Sequence, residues 1–310
     1  VLKIDSKALA LTFLTAAGCG VNDSFSSEQF SNRDNQEIAM NKNANRTEPT
    51  INLSTTIIYG GAGVSERSKK EIPAGLKQLL ANQELKVDTK IVGPEFFDNK
   101  DALLKTSLLI IPGGADKPYV SDLKGARNEA IKEYILGGGK VLAFCAGAYY
   151  LSQKVEFDMG GPLEVSGTRE LVAFPGTARG PVFGPYHYGS DEGGRVVELD
   201  IAPELKATLE AGFDTTRVYF DGGCEFVDAD NTPGVKVLAR YGRTPTKSAA
   251  IVEIAMGNGK VILCGAHPDI TLRSSPLMSS NKESILNTLE RHTSEREWLM
   301  RALLTRLFTP

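Results

Sequence analysis

The chain is poor in the residues that mark several classes of protein. Its 310 residues include four cysteines, three histidines and one tryptophan. No CxxC pair occurs, which argues against a zinc ribbon or a dense disulfide framework. Neither sign of charge is in large excess: Lys and Arg number 35 against 38 for Asp and Glu, a net charge of −3. Binding nucleic acid through its phosphates calls for a basic surplus, so no nucleic-acid partner is expected. No apolar run nears the roughly 20 residues that span a bilayer. At 41% hydrophobic and 24% charged, the composition is that of a globular chain rather than a collagen, a coiled coil or a wholly disordered protein. Nothing in it calls for a metal or another cofactor.

The first residues, VLKIDSKALALTFLTAAGCG, place two lysines before an apolar run of signal-peptide length, ending Ala16-Ala17-Gly18-Cys19. Small residues before a cysteine form a lipobox-like pattern, so Cys19 is the expected lipidation site. The expected location is the bacterial cell envelope, with membrane contact only through that lipid. Residues 20–50 are rich in Asn, Ser, Asp, Glu and Gln, and too polar to build a core. They read as a polar disordered tether. The expected division is therefore 1–19 signal-like, 20–50 tether and 51–310 a single α/β domain.

From residue 54 onward, short apolar runs end in glycine: TTIIYGG (55–61), SLLIIPGG (107–114) and KVLAFCAG (140–147). Such runs read as strands buried on both faces of a parallel sheet. Helical patterns lie between them at 66–82 and 126–136, and a further strand is expected near 87–92. Strand–helix alternation predicts a mainly parallel sheet with helices on both faces, with function at the carboxyl ends of the strands. The second half has more strands, at 195–201, 216–223, 235–241, 249–257 and 260–269, with a hairpin turn at 257–259. The chain ends in helix, with Ser294 and Glu297 as an expected capping box and Leu299, Leu303, Leu304 and Leu307 as a core stripe.

Three strand ends carry the candidate chemistry. In KVLAFCAGAYY an apolar strand delivers Cys145 into Ala146-Gly147-Ala148, the geometry of a nucleophile elbow with cysteine for serine. In VILCGAHPDI another strand presents His267 and then Asp269, a base and the acid that orients it. The other two histidines, His187 and His292, end no core strand. At 112–114 the Pro-Gly-Gly turn lets backbone N–H groups approach a ligand, so Gly114 and Ala146 are the expected oxyanion donors. Gly113, Asp116, Tyr119, Tyr149, Gly222 and Gly223 are expected to line the same crevice.

Taken together, PGGADKPY, GGGKVLAFCAGAYY, GTRELVAFPGTARGP, YFDGG and CGAHPD resemble the N-terminal domain of eukaryotic-type biotin–protein ligases. That domain is similar to class I glutamine amidotransferases. The resemblance covers about residues 54–270 and implies a flavodoxin-like three-layer sandwich with a Cys-His-acid triad, Cys145 as nucleophile and His267 as base. Asp269 stands where amidotransferases carry a glutamate. No GRGRRG-like loop occurs and the C-terminal stretch is short, so biotinylation by this chain alone is not expected.

The leading expectation is a cysteine hydrolase of amidotransferase type acting on a small-molecule amide or ester. The alternative is a binding module that uses the same cleft without turnover. A redox protein of the same superfamily would place an acid from an early strand beside the cysteine, and here only Glu66 lies near that loop. Cys224, at a strand end after Gly223, is a candidate disulfide partner for Cys145, with a small packed residue as the alternative.

Overall fold

A computed structural model describes residues 51, 53–79, 88–209, 212–272 and 279–309. Cys19 and the expected signal and tether segments lie outside the described residues. The elements run β1 (Thr56–Tyr59), α1 (Glu66–Leu79), β2 (Thr89–Val92), a 3-10 turn (Pro94–Asp98), α2 (Lys100–Leu104) and β3 (Leu108–Ile111). Next come α3 (Asp116–Leu123), α4 (Ala126–Leu136), β4 (Lys140–Phe144), α5 (Ala146–Tyr150), β5 (Ser152–Phe157), β6 (Val165–Thr168) and β7 (Phe174–Gly180). After β8 (Arg195–Ile201) and the one-turn α6 (Pro203–Lys206) follow β9 (Thr215–Phe220) and β10 (Glu225–Phe226). The remainder is a second 3-10 turn (Ala229–Asn231), β11 (Val235–Tyr241), β12 (Ala249–Met256), β13 (Gly259–Cys264), α7 (Lys282–Arg291) and α8 (Thr293–Phe308).

The apolar runs pair as their composition requires. β2, β1, β3, β4 and β13 lie side by side and parallel. Alternate residues of each run feed opposite faces. Ile57, Leu109, Val141 and Leu263 pack in one layer with Ile131 and Ile135 of α4. Ile58, Ile110, Leu142 and Ile262 pack in the other with Ile72 and Leu76 of α1 and the Leu299, Leu303, Leu304 and Leu307 stripe of α8. The result is a three-layer α/β sandwich. Burying each of those leucines contributes about 2 kcal/mol, before the entropy of ordering is set against it.

Beyond β13 the sheet becomes largely antiparallel. β12 pairs β13 through a tight turn at 257–258, with Gly257 at φ 60°. From β12 one branch continues through β10 to β7, β5 and β6, and the other through β11 to β8 and β9. No apolar run pointed to β5, β6 and β7, and the third of these is FPGTARG, with Pro175 and Gly176 inside it. The expected capping box is displaced: α8 starts at Thr293 with His292 at its cap, so Ser294 lies inside the first turn. His292 Nδ1 instead faces Glu295 Oε1 at 3.1 Å.

Candidate active site

β4 hands the chain to Cys145 at the carboxyl edge of the sheet. The Cys145 N–H still donates to Cys264 O of β13 at 2.8 Å, and α5 begins at the next residue. A strand-to-helix reversal in one residue forces an unusual backbone: Cys145 has φ 45° and ψ −107°. A side-chain-bearing residue held there costs about 1–3 kcal/mol, which the surrounding packing must supply. The turn holds the Cys145 side chain in a fixed place, only 6% of the residue exposed. Its thiol donates to the Asp221 carbonyl oxygen at 3.6 Å.

β13 is the parallel neighbour of β4, with Cys264 opposite Phe144. Three residues on, the His267 N–H donates to Tyr219 O of β9 at 2.9 Å, which fixes the backbone beneath the ring. Nδ1 lies 3.2 Å from Asp269 Oδ1, and both side chains are buried. Burial alone would lower the pKa of His267. The Asp269 charge and hydrogen bond, with a hydrogen bond to the Cys145 thiol, outweigh it and hold the imidazole up at about 10.

Two glycines make this approach possible. A Cβ on Gly113 would lie 2.5 Å from His267 Cε1 and 3.4 Å from Cys145 Cβ. Gly114, at φ +147°, bridges Val64 of the loop after β1, and a Cβ there would lie 2.0 Å from Gly63 O. The loops after β1, β3, β4 and β13 therefore meet at one point.

In front of Cys145 lies a narrow cleft of about 340 Å³, its open mouth included. Of the residues expected to line it, Gly114, Asp116, Ala146, Tyr149 and Gly222 do so. The Ala146 N–H belongs to the first turn of α5, where no residue of that helix can accept from it. Gly113, Tyr119 and Gly223 do not line the cleft. Gly113 is packed against the His267 ring, and Gly223 against the Gly265 carbonyl, 1.8 Å from where its Cβ would stand. Tyr119 is fully buried below the Pro-Gly-Gly turn, its hydroxyl shared at 3.2 Å between the Pro112 and Gly113 carbonyls. It braces the loop from beneath.

Several residues at the site had not been foreseen. Val155, Phe157, Val165, Tyr186 and Tyr188 complete the cleft, together with Asp221 of the YFDGG strand end that had been expected on this rim. Arg169 Nε and Nη2 both donate to Asp116 Oδ2, at 2.9 and 2.5 Å. Arg67 of α1 forks onto Asp191 at 2.6 and 2.9 Å and also reaches Tyr219 Oη at 3.4 Å. Burial pushes the Asp221 carboxyl up to about 6, against the pull of His267. The only advance signals were the aromatic pair in GPYHYGS and the acid of YFDGG, neither with a periodicity to interpret.

The remaining expectations about acids and thiols are settled locally. Glu66 is exposed and pairs with Lys69 at 2.8 Å, so it places no acid beside Cys145. Cys145, Cys224 and Cys264 are all free and buried, and the pairing considered between Cys145 and Cys224 is not formed. Burial raises the Cys224 and Cys264 thiols well above the usual range, so both are held as inert SH groups.

Residues 54–308 match the family model described as biotin-protein ligase, N terminal. The chain belongs to that family. It is 37% identical over 180 residues to the biotin–protein ligase of Schizosaccharomyces pombe, an alignment covering 57% of this chain and 28% of the ligase. It thus spans little more than a quarter of that enzyme. It is also 30% identical over 262 residues to an uncharacterized protein of Chlamydia muridarum, covering 84% of this chain and 97% of that one. Among solved structures, the glutaminase domain of Trypanosoma brucei CTPS with bound acivicin superposes with a TM-score of 0.49 at 12% identity, over 80% of this chain and 93% of that one.

Proposed function

We propose that the protein is a thiol-dependent hydrolase of small amides or esters, with Cys145 as nucleophile, His267 as proton carrier and Asp269 as the positioning acid. The observation that carries this reading is the Cys145 turn at φ 45°, held against an imidazole that Asp269 keeps charged. In this reading the Cys145 proton resides on His267, the sulfur attacks the carbonyl carbon as a thiolate, and the oxyanion accepts from the Ala146 and Gly114 N–H groups. The imidazolium protonates the departing amine or alcohol, leaving a thioester on Cys145. Water then attacks the thioester while His267 takes its proton. The acid product leaves and the thiolate–imidazolium pair is restored.

A second reading, a binding pocket without turnover, has one observation in its favour. The thiol is already engaged with a protein acceptor, the Asp221 carbonyl. Iodoacetamide separates the two. In the hydrolase, Cys145 alkylates at pH 7 at least tenfold faster in the wild type than in His267→Ala, as followed by intact mass, and an ester panel yields a trapped thioester. Equal alkylation rates in the two proteins would leave the binding reading standing.

A further inference from the structure

The turn after β9 presents four successive carbonyls, Asp221 to Cys224, and each accepts from a different part of the chain. The Asp221 carbonyl takes the Cys145 thiol at 3.6 Å, and the Gly222 carbonyl takes the Tyr149 hydroxyl at 3.2 Å. The Gly223 carbonyl takes the Val182 N–H at 3.1 Å, and the Cys224 carbonyl takes the Tyr241 hydroxyl at 2.7 Å. Of these donors only the thiol is a reacting group. The other three hold the turn against which the thiol rests.

Tyr149 differs from Val182 and Tyr241 in where it starts. It lies on α5, one turn beyond Cys145, and its N–H donates to the Cys145 carbonyl at 3.0 Å. The helix that begins at the nucleophile therefore also carries the hydroxyl that holds the neighbouring carbonyl. That hydroxyl has little room, because a Cβ on Gly180 would stand only 1.9 Å from it. Gly222 is pressed by the Tyr186 ring as well, 2.7 Å from where its own Cβ would stand. The Gly222 carbonyl is buried with this hydroxyl as its donor, and losing that donor makes the turn seek another arrangement.

The sulfur responds to the turn because Cys145 has little other freedom. Its backbone is fixed by the bond to Cys264 O and by α5, so the sulfur moves only by rotation about Cα–Cβ. Two neighbours select the rotamer: the His267 imidazole, which hydrogen-bonds the thiol, and the Asp221 carbonyl. We propose that Tyr149 is a positioning residue for Cys145. Through the Gly222 carbonyl it sets the Asp221 carbonyl against the sulfur, and so keeps the thiol where His267 reaches it. The proposal rests on the hydrolase reading of Cys145 and gives Tyr149 a task beyond lining the cleft.

Tyr149→Phe removes the hydroxyl and keeps the ring. Tyr241→Phe removes a like bond from the same turn, at the Cys224 carbonyl, three residues from Asp221. Each is made in the wild type and in His267→Ala, and Cys145 alkylation by iodoacetamide at pH 7 is followed by intact mass and peptide mapping. In the wild-type background Tyr149→Phe should slow alkylation about tenfold, as expected for a reacting group displaced by less than 1 Å. In the His267→Ala background it should leave the rate within twofold, and Tyr241→Phe should stay within twofold in both. Gly222→Ala, which disturbs the same carbonyl from the Tyr186 side, should show the same dependence on His267 and replaces Tyr149→Phe if that variant does not fold. Equal slowing in the two backgrounds, equal slowing by Tyr241→Phe, or no slowing by Tyr149→Phe overturns the positioning role and leaves the hydrolase reading standing. If His267→Ala alkylates as fast as the wild type, the hydrolase reading fails and this role fails with it.

Discussion

Gly113→Ala adds one methyl group at the most crowded point of the site. Its carbon would stand 2.5 Å from His267 Cε1, 3.3 Å from Nε2 and 3.4 Å from Cys145 Cβ. Ordinary carbon contacts lie at about 3.5–4 Å, so the imidazole must retreat by about 1 Å. It has nowhere easy to go. Its backbone N–H is tied to Tyr219 O at 2.9 Å, its Nδ1 faces Asp269 at 3.2 Å, and the ring is buried. Gly113 does not have a left-handed φ, so the backbone accepts alanine and the whole effect is steric. Overpacking of this kind costs about 1–3 kcal/mol of stability. A 1 Å misplacement of a catalytic group costs about 100-fold in rate. The assay is paired: thermal unfolding for the first quantity, and Cys145 alkylation with ester turnover for the second. The expected result is a folded protein with a modestly lower Tm and turnover reduced by about two orders of magnitude. Wild-type turnover at a wild-type Tm would refute the claim that the bare Pro-Gly-Gly turn is what seats the imidazole.

The Arg169–Asp116 pair is almost fully buried, with side chains 6% and 10% exposed. Arg169→Leu leaves the Asp116 carboxylate stranded and should cost about 3–5 kcal/mol in denaturant unfolding, while the double variant with Asp116→Asn should recover part of that loss. Asp221 gives a pH signature of its own. Burial lifts its carboxyl from 3.8 to about 6, so between those values the unfolded chain gives up the proton first. Its contribution to stability is therefore complete in acid, falls as pH rises from about 4 to about 6, and stays lost above that. Asp221→Asn should remove this fall and stabilise the protein at pH 7.5 by about 1–3 kcal/mol, read from urea melts at pH 4, 5, 6 and 7.5.

What could be read from the sequence depended on how each residue is buried. β1, β3, β4 and β13 are enclosed on both faces, so each leaves an unbroken apolar run, and their glycine ends mark the edge where Cys145 and His267 emerge. The pairing of β4 with β13 in register then brings those two ends together. β7 leaves no such trace, because its FPGTARG is half exposed and interrupted by proline and glycine. Tyr119 was misplaced for a related reason. Spacing puts Asp116 and Tyr119 on the same turn of α3, yet only Asp116 faces the cleft, since the buried hydroxyl is held by the two loop carbonyls. The fork of Arg67 onto Asp191 joins residues 124 positions apart, a relation no local pattern encodes.

The division of labour in the sheet explains why the Cys145–His267–Asp269 cluster could be read and the opposite wall of the cleft could not. Cys145, His267, Asp269 and the Gly113-Gly114 turn all follow strands of the parallel half, where hydrogen bonds to neighbouring strands on both sides fix each end. The cleft wall opposite them comes from elsewhere: Phe157 ends β5, Val165 begins β6, and Tyr186 and Tyr188 belong to the long connection between β7 and β8. That connection carries little regular structure, and within it Asp191 anchors the chain to α1 through Arg67. Its aromatic residues can change without disturbing a strand, whereas a change at Gly113 moves the imidazole directly. Relatives that keep the parallel strand ends while differing in this connection would therefore share the Cys145–His267 geometry and differ in the shape of the cleft in front of it. The residues to compare first are those at 157, 186, 188 and 221.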